Sequence, residues 1–217
     1  STIATGSAIA QAAEEIAAKL RGMAALRANC APEELHLADR QVRRADGTPV
    51  CSVVSLLTEP VSATGRFSPT NAFASGCHVV EIEVDPATGV VRLDRYLAVD
   101  DAGVTIDHVA AEAQIHGGIA QGVGEALREE EVYDPAGQLV AATLMDYAAP
   151  RAEDMPASRV VECNTPSPFN PLGVKGIGEA GTTGALCAIT SAVADVLGDR
   201  PLPPMPYTAA RMWEALR

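Results

Sequence analysis

The residues best suited to chemistry in this sequence lie in one glycine-rich stretch, which reads NPLGVKGIGEAGTTG over positions 170–184. Five glycines fall within residues 173–184, here called the glycine segment, together with one lysine, Lys175, and one glutamate, Glu179. Glycine lets a backbone approach a ligand closely and adopt positive φ, and a helix that starts nearby presents N–H groups to an anion. The segment therefore favours a cradle for a phosphate- or pterin-like group, with one acid at its centre.

The same segment contains G-x-G-x-x-G at Gly176, Gly178 and Gly181, a pattern that also occurs in dinucleotide-binding folds. Such a site needs a strand before the glycines and an acidic residue about 20 positions further on, at the end of a second strand. Here three prolines interrupt residues 165–171, and Asp195 lies in a predicted helix. A dinucleotide-binding oxidoreductase is therefore kept as an alternative to the cradle around Glu179.

Other common catalytic and metal-binding patterns are absent from the sequence. The histidines are scattered and the cysteines never form C-x-x-C, so the spacing predicts neither a side-chain metal site nor a disulfide framework. We expect hydrogen-bonded or solvated histidines and small buried thiols in a reducing cytosol. The residues concerned are His36, His78, His108 and His116, and Cys30, Cys51, Cys77, Cys163 and Cys187. Glu179 remains as the one well-framed candidate for a general base.

Composition excludes some partners. The 217 residues carry a net charge of −12 without a basic block, which argues against a nucleic-acid or anionic-membrane surface. We expect no membrane span, because no apolar run reaches the roughly 18 residues that one needs. The sequence lacks an initiator Met and a basic signal region, which favours a cytoplasmic piece of a longer chain.

The first third of the chain predicts a small N-terminal subdomain over residues 1–65. Apolar residues at helical spacing predict a helix over residues 1–27, capped by Thr5 or Ser7. Alternation predicts a strand over residues 34–44 followed by a turn at Asp46-Gly47, while residues 52–57 fit a helix or a strand equally. The Pro, Gly and Ser content of residues 60–71 indicates a linker.

A second subdomain is predicted over residues 66–217. Alternation on either side of a D-P-A-T-G turn predicts a hairpin over residues 76–84 and 90–99. Asp107 should cap a helix from residue 108 to about 130. Four glycines inside that helix cost roughly 4 kcal/mol relative to alanine, so tight helix–sheet packing or a cofactor must approach them. Gln114, which precedes the glycines, would then face the ligand.

The remaining elements complete an α+β fold, with mixed or antiparallel sheets packed against helices in two subdomains. The sequence predicts a short hairpin over residues 131–140 and a strand over residues 159–163. Helices are predicted over residues 180–197 and from Thr208 onwards.

Four ordered motifs closely resemble the molybdenum hydroxylases, the family of the xanthine dehydrogenase, aldehyde oxidase and carbon monoxide dehydrogenase large chains. They read GCHVVEIEVDP at 76–86, QIHGGIAQGVG at 114–124, LMDY at 144–147 and NPLGVKGIGEAGT at 170–182. Ser1, Thr2, Gly6 and Ala8 are similar to the start of an earlier helix in the same family. The resemblance covers most of the chain and implies that it is the C-terminal part of a molybdopterin-binding large subunit.

The resemblance also implies roles for individual residues. Glu179 matches the general base of an oxidative hydroxylation of a carbon centre, with water as the oxygen source. Gln114 matches a glutamine that hydrogen-bonds the pterin, and Ser1 a serine near it. Lys175, Gly176 and Gly178 match the loop around the metal site. Molybdenum would be held by a molybdopterin in its cytosine dinucleotide form, and not by side chains.

The resemblance implies partners as well. Family large chains are several times longer, so the N-terminal remainder or a second chain would supply other pterin contacts and most of the substrate pocket. Iron–sulfur and flavin subunits are expected in the complex, and the isolated chain should be inactive and empty of cofactor. The purine, aldehyde, N-heterocycle and carbon monoxide enzymes of the family share this C-terminal part of the large subunit. A non-catalytic scaffold subunit with the same fold is the alternative from another functional class.

One stretch departs from the family pattern. After the DDAG at 100–103 the family usually continues with a basic residue and then Asn-Pro, whereas this chain has Val104, Asp107 and His108. We expect this change to alter a cofactor or interdomain contact.

Overall fold

A computed structural model describes residues 2–217, so Ser1 lies outside the described residues. The chain combines helices with two small three-stranded sheets, and the predicted α+β class is confirmed. It divides into two compact units. The first unit comprises the chain up to Asn71 with Pro168–Leu172, and the second comprises Ala72–Ser167 with Gly173–Arg217.

The first unit opens with a π-helical turn, Thr2–Gly6, which continues directly into helix α1, Ser7–Ala28. The predicted cap at Thr5 or Ser7 is wrong, because Gly6 already has helical angles and no side chain caps α1. The π-helical turn runs directly into α1, so the helical backbone continues through the position where a capping side chain would otherwise be needed. The helix ends at Asn29, whose φ of 49° is left-handed.

The sheet of the first unit is an antiparallel meander, which follows a 3₁₀ turn at Pro32–Glu34. Its strands are β1 Leu35–Ala38, β2 Gln41–Arg44 and β3 Pro49–Ser52. The predicted single strand over residues 34–44 is wrong, because the chain reverses at Asp39 and Arg40, whose φ angles are 50° and 62°. Two successive left-handed residues make a tight hairpin turn, and neither residue here is the glycine that usually signals one.

The turn at Asp46-Gly47 is confirmed, since the Thr48 amide donates to Asp46 Oδ1 at 2.8 Å and Gly47 has a φ of 85°. The ambiguous stretch after β3 is a short helix, α2 Val53–Leu56, capped by the Ser52 hydroxyl. Residues 60–71 form no helix or strand, as their composition predicts. The core of this unit is apolar and joins one face of α1 to the sheet; its buried members are Leu20, Ala24, Ala25, Leu35, Val42 and Leu56.

The sheet of the second unit is mixed. Its strands are β4 Ser75–Val84, β5 Val91–Asp101 and β6 Ala157–Glu162, with β4 antiparallel and β6 parallel to β5. The predicted hairpin and the predicted strand near residue 160 are thereby confirmed. Gly89 closes the hairpin turn with a φ of 75°. The second predicted hairpin is reduced to an isolated bridge between Tyr133 and Leu139, and a 3₁₀ turn follows at Ala152–Asp154.

Three helices belong to the second unit: α3 His108–Leu127, α4 Ala180–Leu197 and α5 Ala209–Ala215. Asp107 caps α3 as predicted, accepting from the Ala110 amide at 3.0 Å, and Thr208 caps α5. The core of the unit is formed by the inner face of the sheet and these helices. Its fully buried side chains include Ala98, Ile115, Ile119, Val123, Ala185, Ile189, Val193 and Met212.

By length and composition alone α4 could cross a membrane, since its 18 residues have a mean hydropathy of 1.4. The expectation that no run of this length exists is therefore wrong. Ala185, Ile189, Val193 and Leu197 form a buried stripe along α4 at helical spacing, and they belong to the core of the second unit. This is the arrangement of an amphipathic core helix.

Two of the four glycines of α3, Gly118 and Gly122, serve a helix–helix crossing with α4. A Cβ on Gly118 would lie 2.8 Å from the Thr182 nitrogen, and one on Gly122 would lie 2.6 Å from the Ala185 Cβ. These two glycines therefore permit α3 to pack closely on α4. They do not serve the helix–sheet packing that is predicted above as the alternative to a cofactor. Gly117 has no atom within 4 Å of the position of a Cβ, so no contact among residues 2–217 accounts for it.

Candidate active site

The glycine segment begins where the chain is fastened to the end of β5. The Lys175 amide donates to the Ala102 carbonyl at 2.8 Å, and the Val104 amide donates to the Gly173 carbonyl at 2.9 Å. Gly173 has a φ of 68°, which favours glycine. Among the described residues, the chain that leads directly into Gly176 forms only this isolated antiparallel bridge, so it lacks the strand that a dinucleotide site requires immediately before its glycines.

Lys175 is held by a carboxylate. Its Nζ donates to Asp101 Oδ2 at 2.6 Å, and each side chain is 12% exposed. Asp101 Oδ1 also accepts from the amides of Gly103 and Thr165, at 2.8 and 3.0 Å. The Lys175 hydrogen bond first, and then the Thr165 amide, lower the pKa of Asp101 to about 2. The ion pair therefore fastens the start of the glycine segment to the sheet.

The five glycines of the segment have different surroundings. Gly181 packs on α3, where a Cβ would lie 2.3 Å from the Ile115 carbonyl oxygen. Gly184 packs on the imidazole ring of His78, a residue of β4. Gly176 is exposed, with no atom within 4 Å of a Cβ, and a Cβ on Gly178 would lie 3.6 Å from Gln114 Oε1. Only Gly176 and Gly178 therefore leave the backbone open to a ligand.

A cavity of about 430 Å³ adjoins these two glycines. Gly176, Gly178 and Glu179 form one side of it, and residues from β4 and the chain before it form another. The remaining lining residues are Ala72, Ala74, Ser75, Gly76, His78, Asp100, Ala180, Thr183 and Gly184. The lining includes the start of α4 and the polar residues Ser75, His78, Asp100 and Thr183.

Glu179 is one of the residues that line this cavity. It directly precedes α4, and its carbonyl accepts from the Thr183 amide at 3.1 Å, so its backbone is fixed by the first turn of the helix. Its side chain is exposed and makes no capping hydrogen bond to that helix. The carboxylate is therefore not used to cap the helix, and Glu179 is among the residues that line the cavity.

The structure brings together some of the residues that the sequence singles out. Gln114, on α3, has its Oε1 3.6 Å from the position of a Cβ on Gly178, and Gly178 lines the same cavity as Gly176 and Glu179. Lys175 follows the same backbone but turns its ammonium to Asp101. Ser1 lies outside the described residues. The cofactor roles of these residues remain predictions.

Comparison with known proteins decides the family. The model of the molybdopterin cofactor-binding domain family matches residues 1–156. The chain belongs to this family.

Relatives extend the match to the whole chain. It is 31% identical to the carbon monoxide dehydrogenase large chain of Hydrogenophaga pseudoflava, covering 100% of this chain and 29% of the relative. A solved Cu,Mo-carbon monoxide dehydrogenase matches with a TM-score of 0.87 at 29% identity, covering 97% of this chain and 28% of that one. Quinoline 2-oxidoreductase from Pseudomonas putida 86 matches with a TM-score of 0.84 at 33% identity, covering 94% and 28%.

This member of the molybdopterin cofactor-binding domain family thus spans less than a third of the length of these relatives. It corresponds to a segment of a molybdenum hydroxylase large subunit, and the predicted resemblance is confirmed.

The residues around the cavity fit a molybdopterin. Gly176 and Gly178 leave room for a group to approach the backbone, and the Gln114 amide beside them offers both a donor and an acceptor. Within residues 2–217 no group of three His, Cys, Asp or Glu side chains could hold a metal ion.

Sequence reasoning missed a buried network beneath α4. His78 Nδ1 lies 2.8 Å from Tyr96 Oη, and His78 Nε2 lies 3.1 Å from Asp100 Oδ2. The expectation of a hydrogen-bonded histidine holds for His78, but its partners were not predicted. The signal was present, because His78 shares the inward-facing period of β4 with Val80 and Ile82.

The segment that departs from the family pattern forms a second polar cluster. The Thr105 hydroxyl donates to Glu162 Oε2 at 2.7 Å, and His108 Nδ1 lies 2.7 Å from Glu162 Oε1. Asn164 donates to the same carboxylate at 2.6 Å and accepts from the Ala102 amide at 3.1 Å. The hydrogen bonds from Thr105 and then His108 lower the pKa of Glu162. This cluster ties the start of α3 to the end of β6.

Proposed function

We propose that this chain is part of the catalytic subunit of a molybdenum hydroxylase, with Glu179 as the general base. The reaction is the oxidative hydroxylation of a carbon centre with water as the oxygen source. The observation that carries the proposal is that Glu179 is exposed and lines the same cavity as Gly176 and Gly178, while Gln114 Oε1 lies next to Gly178.

Each residue at the site has a distinct task. When bound, molybdopterin supplies the two-electron redox chemistry. Gln114 hydrogen-bonds the pterin, and the side-chain-free backbone at Gly176 and Gly178 lets it approach. The Lys175–Asp101 ion pair holds the segment against β5. Glu179 accepts the proton that water must lose when its oxygen attacks carbon.

The remainder of the subunit, or a second chain, supplies further pterin contacts and the rest of the substrate pocket. Iron–sulfur and flavin subunits carry electrons away in the complex, which is cytoplasmic. The cofactor is the cytosine dinucleotide form. The substrate belongs to one of the classes handled by the relatives, which include carbon monoxide and quinoline by their names.

The test uses the intact complex purified from its source. Molybdenum is measured by mass spectrometry, the released nucleotide by chromatography, and turnover by dye reduction with purine, aldehyde, N-heterocycle and carbon monoxide substrates. Active wild-type complex should contain molybdenum and release cytidine monophosphate, whereas the isolated 217-residue chain should contain neither. Activity in a preparation without molybdenum would refute the proposal.

Substitution of the base separates chemistry from cofactor binding. Glu179→Gln should retain wild-type molybdenum content and lose turnover by at least about 10²-fold, because general bases contribute 10²–10⁴-fold. The matched control is Glu83→Gln on the exposed face of β4, which should keep both properties. Retained turnover in Glu179→Gln would remove Glu179 from its proposed role.

A further inference from the structure

A row of three buried polar side chains lies beneath the first turns of α4 and has no task in the chemistry above. The side chains of His78 and Asp100 are 3% and 5% exposed, and Tyr96 is 3% exposed. Both ring nitrogens of His78 are within hydrogen-bonding distance of a partner, Tyr96 on one side and Asp100 on the other. Buried polar groups are stable only when paired in this way, so the row is a fixed structural unit.

One arrangement of protons satisfies every member of the row. Burial first, and then the charge of Asp100, raise the pKa of Tyr96, so its hydroxyl keeps its proton and donates to His78 Nδ1. The Nε2–H of His78 then donates to the Asp100 carboxylate. The ring is thereby held at both ends, and its plane cannot rotate without breaking a hydrogen bond.

Two glycines make space for the row. A Cβ on Gly184 of α4 would lie 2.3 Å from His78 Nδ1 and 2.5 Å from two other ring atoms. A Cβ on Gly76 of β4 would lie 2.2 Å from Asp100 Oδ1. The imidazole therefore rests directly on the backbone of α4, and its thickness sets the distance between that helix and β4.

The contact is close to the proposed base. Gly184 lies in the second turn of α4, and the Thr183 amide next to it donates to the carbonyl of Glu179. His78, Asp100, Gly184 and Glu179 all line the same cavity. Any displacement of α4 at Gly184 is therefore passed through one helical turn to Glu179.

We infer that His78 is a positioning residue for Glu179. Held by Tyr96 and Asp100, its ring is a rigid spacer on which Gly184 seats the start of α4, and this fixes where the Glu179 carboxylate enters the cavity. The inference rests on the proposed function, because it assigns to His78 a role in placing the base of that reaction.

The experiment introduces a methyl group at the contact and then relieves it. Gly184→Ala, His78→Asn and the double variant are made in the intact complex, with Gly22→Ala as the matched control, since nothing lies within 4 Å of a Cβ there. Asparagine is shorter than histidine and retains one donor and one acceptor. Measurements are molybdenum content, kcat and KM, and hydrogen–deuterium exchange of a peptide covering residues 179–187.

Gly184→Ala must move α4 by roughly 1 Å, which should lower kcat on the order of 10²-fold with little change in KM, because a misplaced base affects the chemical step. Molybdenum content should stay at the wild-type level, and exchange of the 179–187 peptide should rise. Adding His78→Asn should restore kcat at least about tenfold relative to Gly184→Ala and slow the exchange. Gly22→Ala should change none of these values.

The outcomes separate this inference from the proposed function. An active wild-type complex without molybdenum overturns the proposed function and this inference with it. A metal-loaded Gly184→Ala complex with wild-type kcat overturns this inference alone. So does a double variant that is no better than Gly184→Ala, since a purely structural defect at either position would add to the other and not relieve it.

Discussion

Replacing Asp101 with asparagine should destabilise the second unit of the chain, because it removes the carboxylate that holds Lys175 beside the glycine segment. Asparagine keeps an oxygen in the place of Oδ1, so the amides of Gly103 and Thr165 retain their acceptor. The substitution therefore isolates the charge of the ion pair from the backbone hydrogen bonds around it.

The magnitude follows from the pKa of Asp101, which is about 2 in the folded chain against an ordinary value of 3.8. That difference corresponds to about 2 kcal/mol of stabilisation, and the residual exposure of the pair reduces it to roughly 1–2 kcal/mol. Because the folded pKa is depressed, this stabilisation is fully present above pH 4. It is lost as the pH falls from about 4 towards 2.

The assay is urea unfolding of the purified chain, followed by the fluorescence of Trp213, the single tryptophan of the sequence. Trp213 lies on α5, in the same unit as the ion pair. The free energy of unfolding of Asp101→Asn should be roughly 1–2 kcal/mol below wild type at pH 6, and the gap should narrow between pH 4 and pH 3.

The matched control is Asp94→Asn. Asp94 and Arg95 form an ion pair whose side chains are 67% and 71% exposed. The free energy of unfolding of Asp94→Asn should therefore stay within about 0.5 kcal/mol of wild type at every pH. The electrostatic reasoning would be refuted if the free energies of unfolding of wild type and Asp101→Asn differed by the same amount at pH 6 and at pH 3. An Asp101→Asn chain as stable as wild type at pH 6 would refute it as well.

Gly118→Ala should lower the free energy of unfolding by about 1–3 kcal/mol, because its Cβ would lie 2.8 Å from a backbone nitrogen of α4. Gly117→Ala, with open space around it, should instead raise that free energy by up to about 1 kcal/mol; equal effects in urea unfolding would contradict the assigned crossing. The pKa of Glu162, followed by carboxyl NMR, should rise in Thr105→Val and rise less in His108→Ala. An unchanged pKa in Thr105→Val would show that its hydroxyl does not hold this carboxylate.

Features with a local cause were predictable from the sequence. The turn before Gly89, the cap at Asp107 and the start of α4 at Ala180 each depend on a few neighbouring residues, and the structure has them where the pattern places them. The glycine segment was also recognisable as a place where the backbone meets a close neighbour, because five glycines within twelve positions are unusual next to a helix.

Features that depend on distant partners were not predictable. The reversal at Asp39 and Arg40 uses left-handed angles that these residue types rarely signal. The pairing of Lys175 with Asp101 and of His78 with Asp100 depends on strand register and on where α4 docks. Periodicity along the chain carries no information about such distances. The glycines of α3 therefore predict a close neighbour, but the sequence does not identify that neighbour as α4.

The crossing of α3 and α4 limits how this chain can change. Gly118 and Gly181 meet backbone to backbone, so neither helix can slide without displacing the other. Gln114 on one helix and Glu179 at the start of the other are therefore carried as a single rigid pair. Substitutions around the two residues should combine non-additively despite their distance in the sequence. Variant libraries that carry substitutions in both α3 and α4 will contain active combinations that are absent from libraries with substitutions in only one of these helices.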